Sequence, residues 1–225
     1  MSQISVVLPC LNEEKGLPVC VGKIREVFRA YELDGEIIVV DNNSSDNTSE
    51  IAKNLGVEVV FEGNRGYGNA YKKGFKSAKG EFVFLGDADN SYDFYDIPRF
   101  LEVLNTGADF VIGNRASVMK GSSPFLHQHI GRPFFSAVLR RLFDLKISDS
   151  HCGFGVIRKS ALDSLNLKSS GMEFASEILI KAKKNNLNIQ EIPITYHKRF
   201  GKSKLRTFRD GFRHIYLISK EFFNR

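Results

Sequence analysis

Phe82-Val83-Phe84-Leu85-Gly86-Asp87-Ala88-Asp89 is the stretch from which the fold reads outward. An unbroken apolar run is the mark of a strand buried on both faces, and this one ends in two carboxylates one residue apart. Period-two geometry would point Asp87 and Asp89 the same way off the strand end. Paired carboxylates suit Mg²⁺ or Mn²⁺, hard cations that bind through one or two carboxylates plus the phosphates of a substrate. A D-x-D at a strand end is more often a solvated turn, so its weight comes from what surrounds it.

Residues 4–9, 36–41, 57–62, 81–86 and 109–113 are short β-branched or aromatic apolar runs, and residues 13–31, 46–55 and 67–78 between them have helical spacing. Strands alternating with helices predict an α/β fold, a mostly parallel central sheet covered by helices on both faces. In such sheets ligands sit outside the carboxyl ends of the strands. The polar residues gather there: Asn12 and Glu13 after the first strand, residues 41–46 after the second, 64–69 after the third, and Asp87 and Asp89 after the fourth.

The pattern changes after Arg115. Residues 116–130 read as a loop around Gly121-Ser122-Ser123-Pro124. A helix over 132–145 carries Phe134, Phe135, Val138, Leu139, Leu142 and Phe143, interrupted by Arg132, Arg140 and Arg141. Such a stripe is either core or, bordered by arginines, a helix lying in a membrane interface. A helix over 172–184, a strand over 188–195 and a basic segment over 197–206 follow. The last helix carries Phe208, Phe212, Ile215 and Tyr216 on one face.

A chain of 225 residues with 42% hydrophobic content is long enough for one sizeable domain. It contains no run of about 18 apolar residues, and Met1-Ser2-Gln3-Ile4 lacks the pattern of a signal peptide. Cys10, Cys20 and Cys152 lack zinc or disulfide spacing, which points to a reducing cytoplasm. The net charge of +6 fits an anionic partner. Basic and aromatic residues are not interleaved as nucleic-acid binding would require. Gly66-x-Gly68 lacks the third glycine of a dinucleotide fingerprint, Tyr71 standing there, and Gly201-Lys202-Ser203 lacks the P-loop glycine, replaced by Tyr196. His127-x-His129 reads as a surface pair rather than a zinc site, and Cys152 beside His151 as a small buried residue rather than a nucleophile.

Pro9-Cys10-Leu11-Asn12-Glu13, Val39-Val40-Asp41-Asn42-Asn43-Ser44-Ser45-Asp46 and Asp87-Ala88-Asp89 together resemble the family 2 glycosyltransferases of GT-A fold. Asn64-Arg65-Gly66-Tyr67-Gly68-Asn69-Ala70, Ser148-Asp149-Ser150-His151-Cys152-Gly153-Phe154, Gly171-Met172-Glu173-Phe174-Ala175-Ser176-Glu177 and Gly201-Lys202-Ser203-Lys204-Leu205 look like the polyprenol-phosphate hexosyltransferase branch. The resemblance implies one GT-A domain over 1–225, with residues 1–115 as the nucleotide-sugar-binding half and 116–225 as a C-terminal acceptor and membrane-interface half. Pro9, Asn12, Glu13, Asp41, Asn43, Arg65, Gly66, Asp87, Ala88, Asp89 and Ser203 would bind the nucleotide sugar, a UDP- or GDP-hexose. Asp87 and Asp89 would hold the metal, and Asp89, Arg115, Arg132 and Lys204 would carry catalysis.

The implied reaction moves glucose or mannose to a polyprenyl phosphate with inversion. Such an acceptor is already an anion and needs alignment and charge shielding rather than a strong base. A saccharide or soluble acceptor, or nucleotide-sugar binding without turnover, are the rival readings. The implied location is cytoplasmic, peripheral at the inner membrane face, with a separate anchoring subunit among the partners to look for. Two positions depart from the pattern: Ser91 stands where several relatives have a glutamine, and Asp41-Asn42 where many have two acids.

Overall fold

The computed structural model describes residues 3–119, 130–201 and 204–224. Its core is a seven-stranded sheet in the order β3-β2-β1-β4-β6-β5-β7. The strands are β1 Ile4–Cys10, β2 Gly35–Asp41, β3 Glu58–Phe61, β4 Phe82–Leu85, β5 Phe110–Val118, β6 Gly155–Arg158 and β7 Ile189–Tyr196. β1 pairs in parallel with β2 and β4, β2 with β3, and β5 with β7. Only β6 runs antiparallel, between β4 and β5. This is the mostly parallel α/β architecture that the sequence predicts.

Successive residues Val6, Val7 and Leu8 of β1 are all fully buried, so both faces of the sheet centre are covered. The helices are α1 Leu17–Ala30, α2 Thr48–Asn54, α3 Tyr67–Ser77, α4 Ile97–Asn105, α5 Arg132–Phe143, α6 Lys159–Ser164, α7 Phe174–Lys184 and α8 Thr207–Phe223. α3 packs across β1 and β2, α4 against β5 and β6, and α5 and α7 beside α8. α1 buries Leu17, Cys20, Val21, Ile24 and Val27, a stripe at helical spacing.

Three expectations are corrected. β5 continues through Ala116 to Val118, where a loop was expected, because β7 supplies its ladder as far as Tyr196 across an irregularity between Asn114 and Ser117. β4 stops at Leu85, so Asp87 and Asp89 stand in the turn after the strand and not on its pleat. The stripe on α5 divides: Leu139 and Phe143 are buried, whereas Phe134 is 53% exposed. The broad apolar face turned outward belongs to α8, where Phe208 is 90% and Phe212 71% exposed, with Ile215 and Tyr216 beside them.

Candidate active site

The parallel register sets the strand ends side by side, Cys10 opposite Asp41 and Val7 opposite Leu85. The loops beyond them enclose an open cavity of about 600 Å³. Pro9, Glu13, Arg65, Gly66, Asp87, Ala88, Asp89 and Lys204 line it, so the structure brings together most of the residues singled out in the sequence. A smaller, more apolar cavity of about 110 Å³ adjoins it, and Tyr67, Asp87 and Arg199 border both.

The loop after β1 is tied to the loop after β2. Asn12, at φ 57°, donates its N–H to the Ser44 hydroxyl at 3.0 Å and accepts from the Ser45 N–H at 2.7 Å. Glu13 N–H donates to the Thr48 hydroxyl at 2.8 Å. Asp41 is buried, and its Oδ1 accepts the Ser44 N–H at 3.0 Å. The neighbouring Asn42 lines the cavity, taking the Gly66 N–H on Oδ1 at 2.6 Å and donating to the carbonyls of Glu62 and Asn64. Asn43 is left-handed at φ 66°, and its carbonyl accepts from Arg65 Nη2 at 3.0 Å.

Asp89 is buried and pairs with Arg199 at 3.1 Å, while its Oδ1 accepts the Ser91 N–H at 3.0 Å. Asp87 accepts a hydrogen bond from the Tyr67 hydroxyl at 3.0 Å. Burial, reinforced by the nearby charge of Asp89, pushes the Asp87 carboxyl up to about 7. A buried carboxyl that resists ionisation, set beside a second carboxylate, is a donor set whose charged form a divalent cation would stabilise. Among the described residues no third His, Cys, Asp or Glu joins them. The donor set therefore fits a cation that completes its shell with phosphate oxygens and water.

Lys204 reaches back from the far end of the chain to the Glu13 carboxylate and lies 3.4 Å from the Asn12 carbonyl. Burial lifts Glu13 to about 6 even though Lys204 pulls the other way. Ser203, His127 and His129 lie outside the described residues. Arg115 does not reach the larger cavity as a free guanidinium: it is buried, borders the smaller one, and holds Asp149 through two hydrogen bonds. Arg132 lies 3.5 Å from the same carboxylate. The two arginines are thus gathered on Asp149 rather than standing apart.

Four cations of the larger cavity were not singled out in the sequence: Arg199, Arg206, Arg209 and Arg213. Arg199 and Arg206 lie in the basic segment already noted. Arg209 and Arg213 stand one helical turn apart on α8, a spacing visible in the sequence. Arg213 bonds Glu173 at 2.7 Å and the Ser170 hydroxyl at 2.8 Å, anchoring α8 to the loop before α7.

Residues 5–165 match the family described as glycosyl transferase family 2. The chain is 39% identical over 215 residues to the low-salt glycan biosynthesis hexosyltransferase Agl6 of Haloferax volcanii, covering 94% of this chain and 52% of that protein. It is 32% identical to the dolichol-phosphate mannosyltransferase of Pyrococcus furiosus, covering 97% and 64% respectively. It is 28% identical to the dolichyl-phosphate hexose transferase of Haloferax volcanii, covering 92% and 89%. The chain thus spans about half the length of the first of these relatives. Among solved structures, glucosyl-3-phosphoglycerate synthase of Mycobacterium tuberculosis in complex with Mn²⁺, UDP and glucosyl-3-phosphoglycerate shares the fold, with a TM-score of 0.76 at 23% identity over 98% of this chain and 80% of that one.

Proposed function

The chain belongs to glycosyltransferase family 2, and from that premise we propose that it transfers a hexose from a nucleotide diphosphate sugar to the phosphate of a polyprenyl lipid. The observation that carries this reading is the double role of α8. Its Arg209 and Arg213 line the cavity of Asp87 and Asp89, while its Phe208, Phe212, Ile215 and Tyr216 face outward. One helix thus offers cations to an anionic headgroup and aromatic surface to an apolar phase, which matches an amphiphilic acceptor. A soluble phosphorylated acceptor would engage the same cations and leave the aromatic face without a use.

In this reading the loops after β1 and β2 hold the nucleoside, with Glu13, Asn42 and Arg65 as the polar contacts available on the cavity wall. Asp87 and Asp89 would hold Mg²⁺ or Mn²⁺. Bound there, the cation neutralises charge gathering on the departing diphosphate. Arg199, Lys204, Arg206, Arg209 and Arg213 would offset the repulsion between two phosphate groups brought together for attack at the anomeric carbon. An acceptor that is already ionised requires no deprotonation, and single displacement inverts the anomeric centre.

The outward face of α8 would rest on an anionic membrane surface, with exposed Arg209 and Lys220 flanking it. The test offers radiolabelled UDP- and GDP-hexoses with a short polyprenyl phosphate, or with a soluble sugar phosphate, plus Mg²⁺ or Mn²⁺. Label passing into the lipid phase is the expected result. Label passing only to the soluble acceptor would replace the lipid reading, and nucleotide binding without transfer to either would remove the catalytic one.

A further inference from the structure

We infer that Tyr67 is a positioning residue for the Asp87 carboxylate, fixing its orientation toward the cation; this rests on the metal reading above. The Tyr67 hydroxyl donates to Asp87 Oδ1 at 3.0 Å, and both residues stand where the two cavities meet. An aspartate's terminal torsion is broad and weakly set by its own sterics. A hydrogen bond on one oxygen is what holds such a group at one angle. Small divalent cations with strict geometry gain from that, and partners of their ligands are worth about tenfold to a hundredfold in affinity.

Tyr67 is itself held in place. Its ring meets that of Tyr71 edge-on at 4.9 Å and lies 6.2 Å from Phe174, and the last two rings stack on each other at 5.2 Å. Tyr71 is fully buried, so this support is rigid. Tyr67 opens α3 directly after Gly66, whose φ of 148° and close approach to the Ser170 carbonyl leave no room for a side chain. That seats the first turn of α3 against the loop before α7 and directs Tyr67 at Asp87. From the other side comes Gly153, where a Cβ would lie 2.6 Å from the Tyr67 hydroxyl and 3.1 Å from Asp87 Oδ2. Gly153 also donates its N–H to the Tyr92 hydroxyl at 2.8 Å, which fixes the backbone at that distance. Tyr67 and Gly153, each within a motif of the sequence but without a role there, thus frame the same carboxylate.

The test is Mn²⁺ binding by electron paramagnetic resonance, in the presence of UDP or GDP and with no acceptor, for the wild type, Tyr67→Phe and Gly153→Ala. Tyr67→Phe removes one hydroxyl and keeps the ring contacts. It is expected to weaken Mn²⁺ about tenfold or more with an unchanged circular dichroism spectrum. In turnover assays the KM for metal should rise by a similar factor, and kcat at saturating metal should fall less. Gly153→Ala should weaken Mn²⁺ likewise by displacing the hydroxyl. Unchanged Mn²⁺ affinity in folded Tyr67→Phe would overturn the inference while leaving the metal site standing. A wild-type chain that binds no Mn²⁺ would overturn both.

Discussion

Arg115 and Asp149 form a bidentate ion pair inside the protein, Nε and Nη2 of the arginine lying 2.7 and 2.8 Å from the two carboxylate oxygens. The side chains are 6% and 2% exposed. The Arg115 N–H adds a third bond to Asp149 at 3.1 Å, and Glu191 accepts the Asp149 N–H at 2.8 Å. The pair therefore stitches β5 to the segment leading into β6, the wall of the smaller cavity.

This pair makes stability depend on acid. Burial acts to raise the Asp149 carboxyl, but the hydrogen bonds and charge of Arg115, with Arg132 behind it, outweigh burial and hold it at about 2. In the unfolded chain the value returns to about 3.9. Between these values the unfolded chain binds more protons, so the contribution is fully present above the unfolded value and is lost as pH falls through the folded one. Its size is about 2 to 3 kcal/mol. Urea midpoints should fall more steeply from about pH 5 to pH 2 in the wild type than in Asp149→Asn, and equal slopes would remove the assignment. At pH 7, Asp149→Ala should cost about 3 to 5 kcal/mol, since Arg115 would be left charged and buried.

Asp89→Asn should abolish most turnover while the protein stays folded. An amide lacks the charge that a hard cation requires, and the same change weakens the Arg199 ion pair at 3.1 Å. A loss of about a hundredfold in kcat (roughly 2.7 kcal/mol) is expected with Mg²⁺ or Mn²⁺. Excess chelator should silence the wild type to a similar level. Full activity in chelator would remove the cation from the reaction.

The sequence exposes these two carboxylates as a pair but not how they are held. β1, β2 and β4 are legible because each carries consecutive apolar residues at its centre, where both faces are buried. β6 is only four residues long, and its neighbours β4 and β5 hold it antiparallel; that pairing spans some 40 to 75 residues of chain and leaves no local mark. Arg115 stands among the catalytic candidates until the fold sets Asp149 beside it. Arg209 and Arg213 carry no role in the sequence until the fold sets them on the cavity wall, with Arg213 against the loop before α7. The stripes on α5 and α8 have the same periodicity. Only their neighbours decide that Leu139 is buried and Phe212 is not.

That contrast separates docking from folding. Replacing both Phe208 and Phe212 with serine should leave thermal stability almost unchanged, because exposed side chains lose little on truncation. Binding to anionic vesicles should fall sharply if α8 rests on the lipid. Leu139→Ser should do the reverse, costing about 2 to 5 kcal/mol by opening a cavity in the core without a specific effect on vesicle affinity. Sedimentation with vesicles and thermal melts read the two effects independently. Vesicle binding unchanged by the paired α8 substitutions would remove the lipid surface from this face.

Lys204, just before α8, lines the larger cavity, joined to Glu13 and close to the Asn12 carbonyl. The Glu13 carboxyl, lifted to about 6 by its burial, is the partner Lys204 would have to leave in order to reach a phosphate. If Lys204 acts on the anions as they are brought together, Lys204→Ala should lower kcat more than it weakens nucleotide binding, because the lost charge matters most when both phosphates are present. A reduction of about tenfold to a hundredfold in kcat (roughly 1.4 to 2.7 kcal/mol) is expected, with nucleotide Kd changed much less. Glu13→Gln keeps the lysine and removes its ionic partner, so it should retain more turnover than Lys204→Ala. A lysine that serves only to attract the membrane gives a different pattern: its defect would vanish with a water-soluble, short-chain phosphate acceptor. A kcat defect that persists with that acceptor assigns the charge of Lys204 to the phosphates themselves.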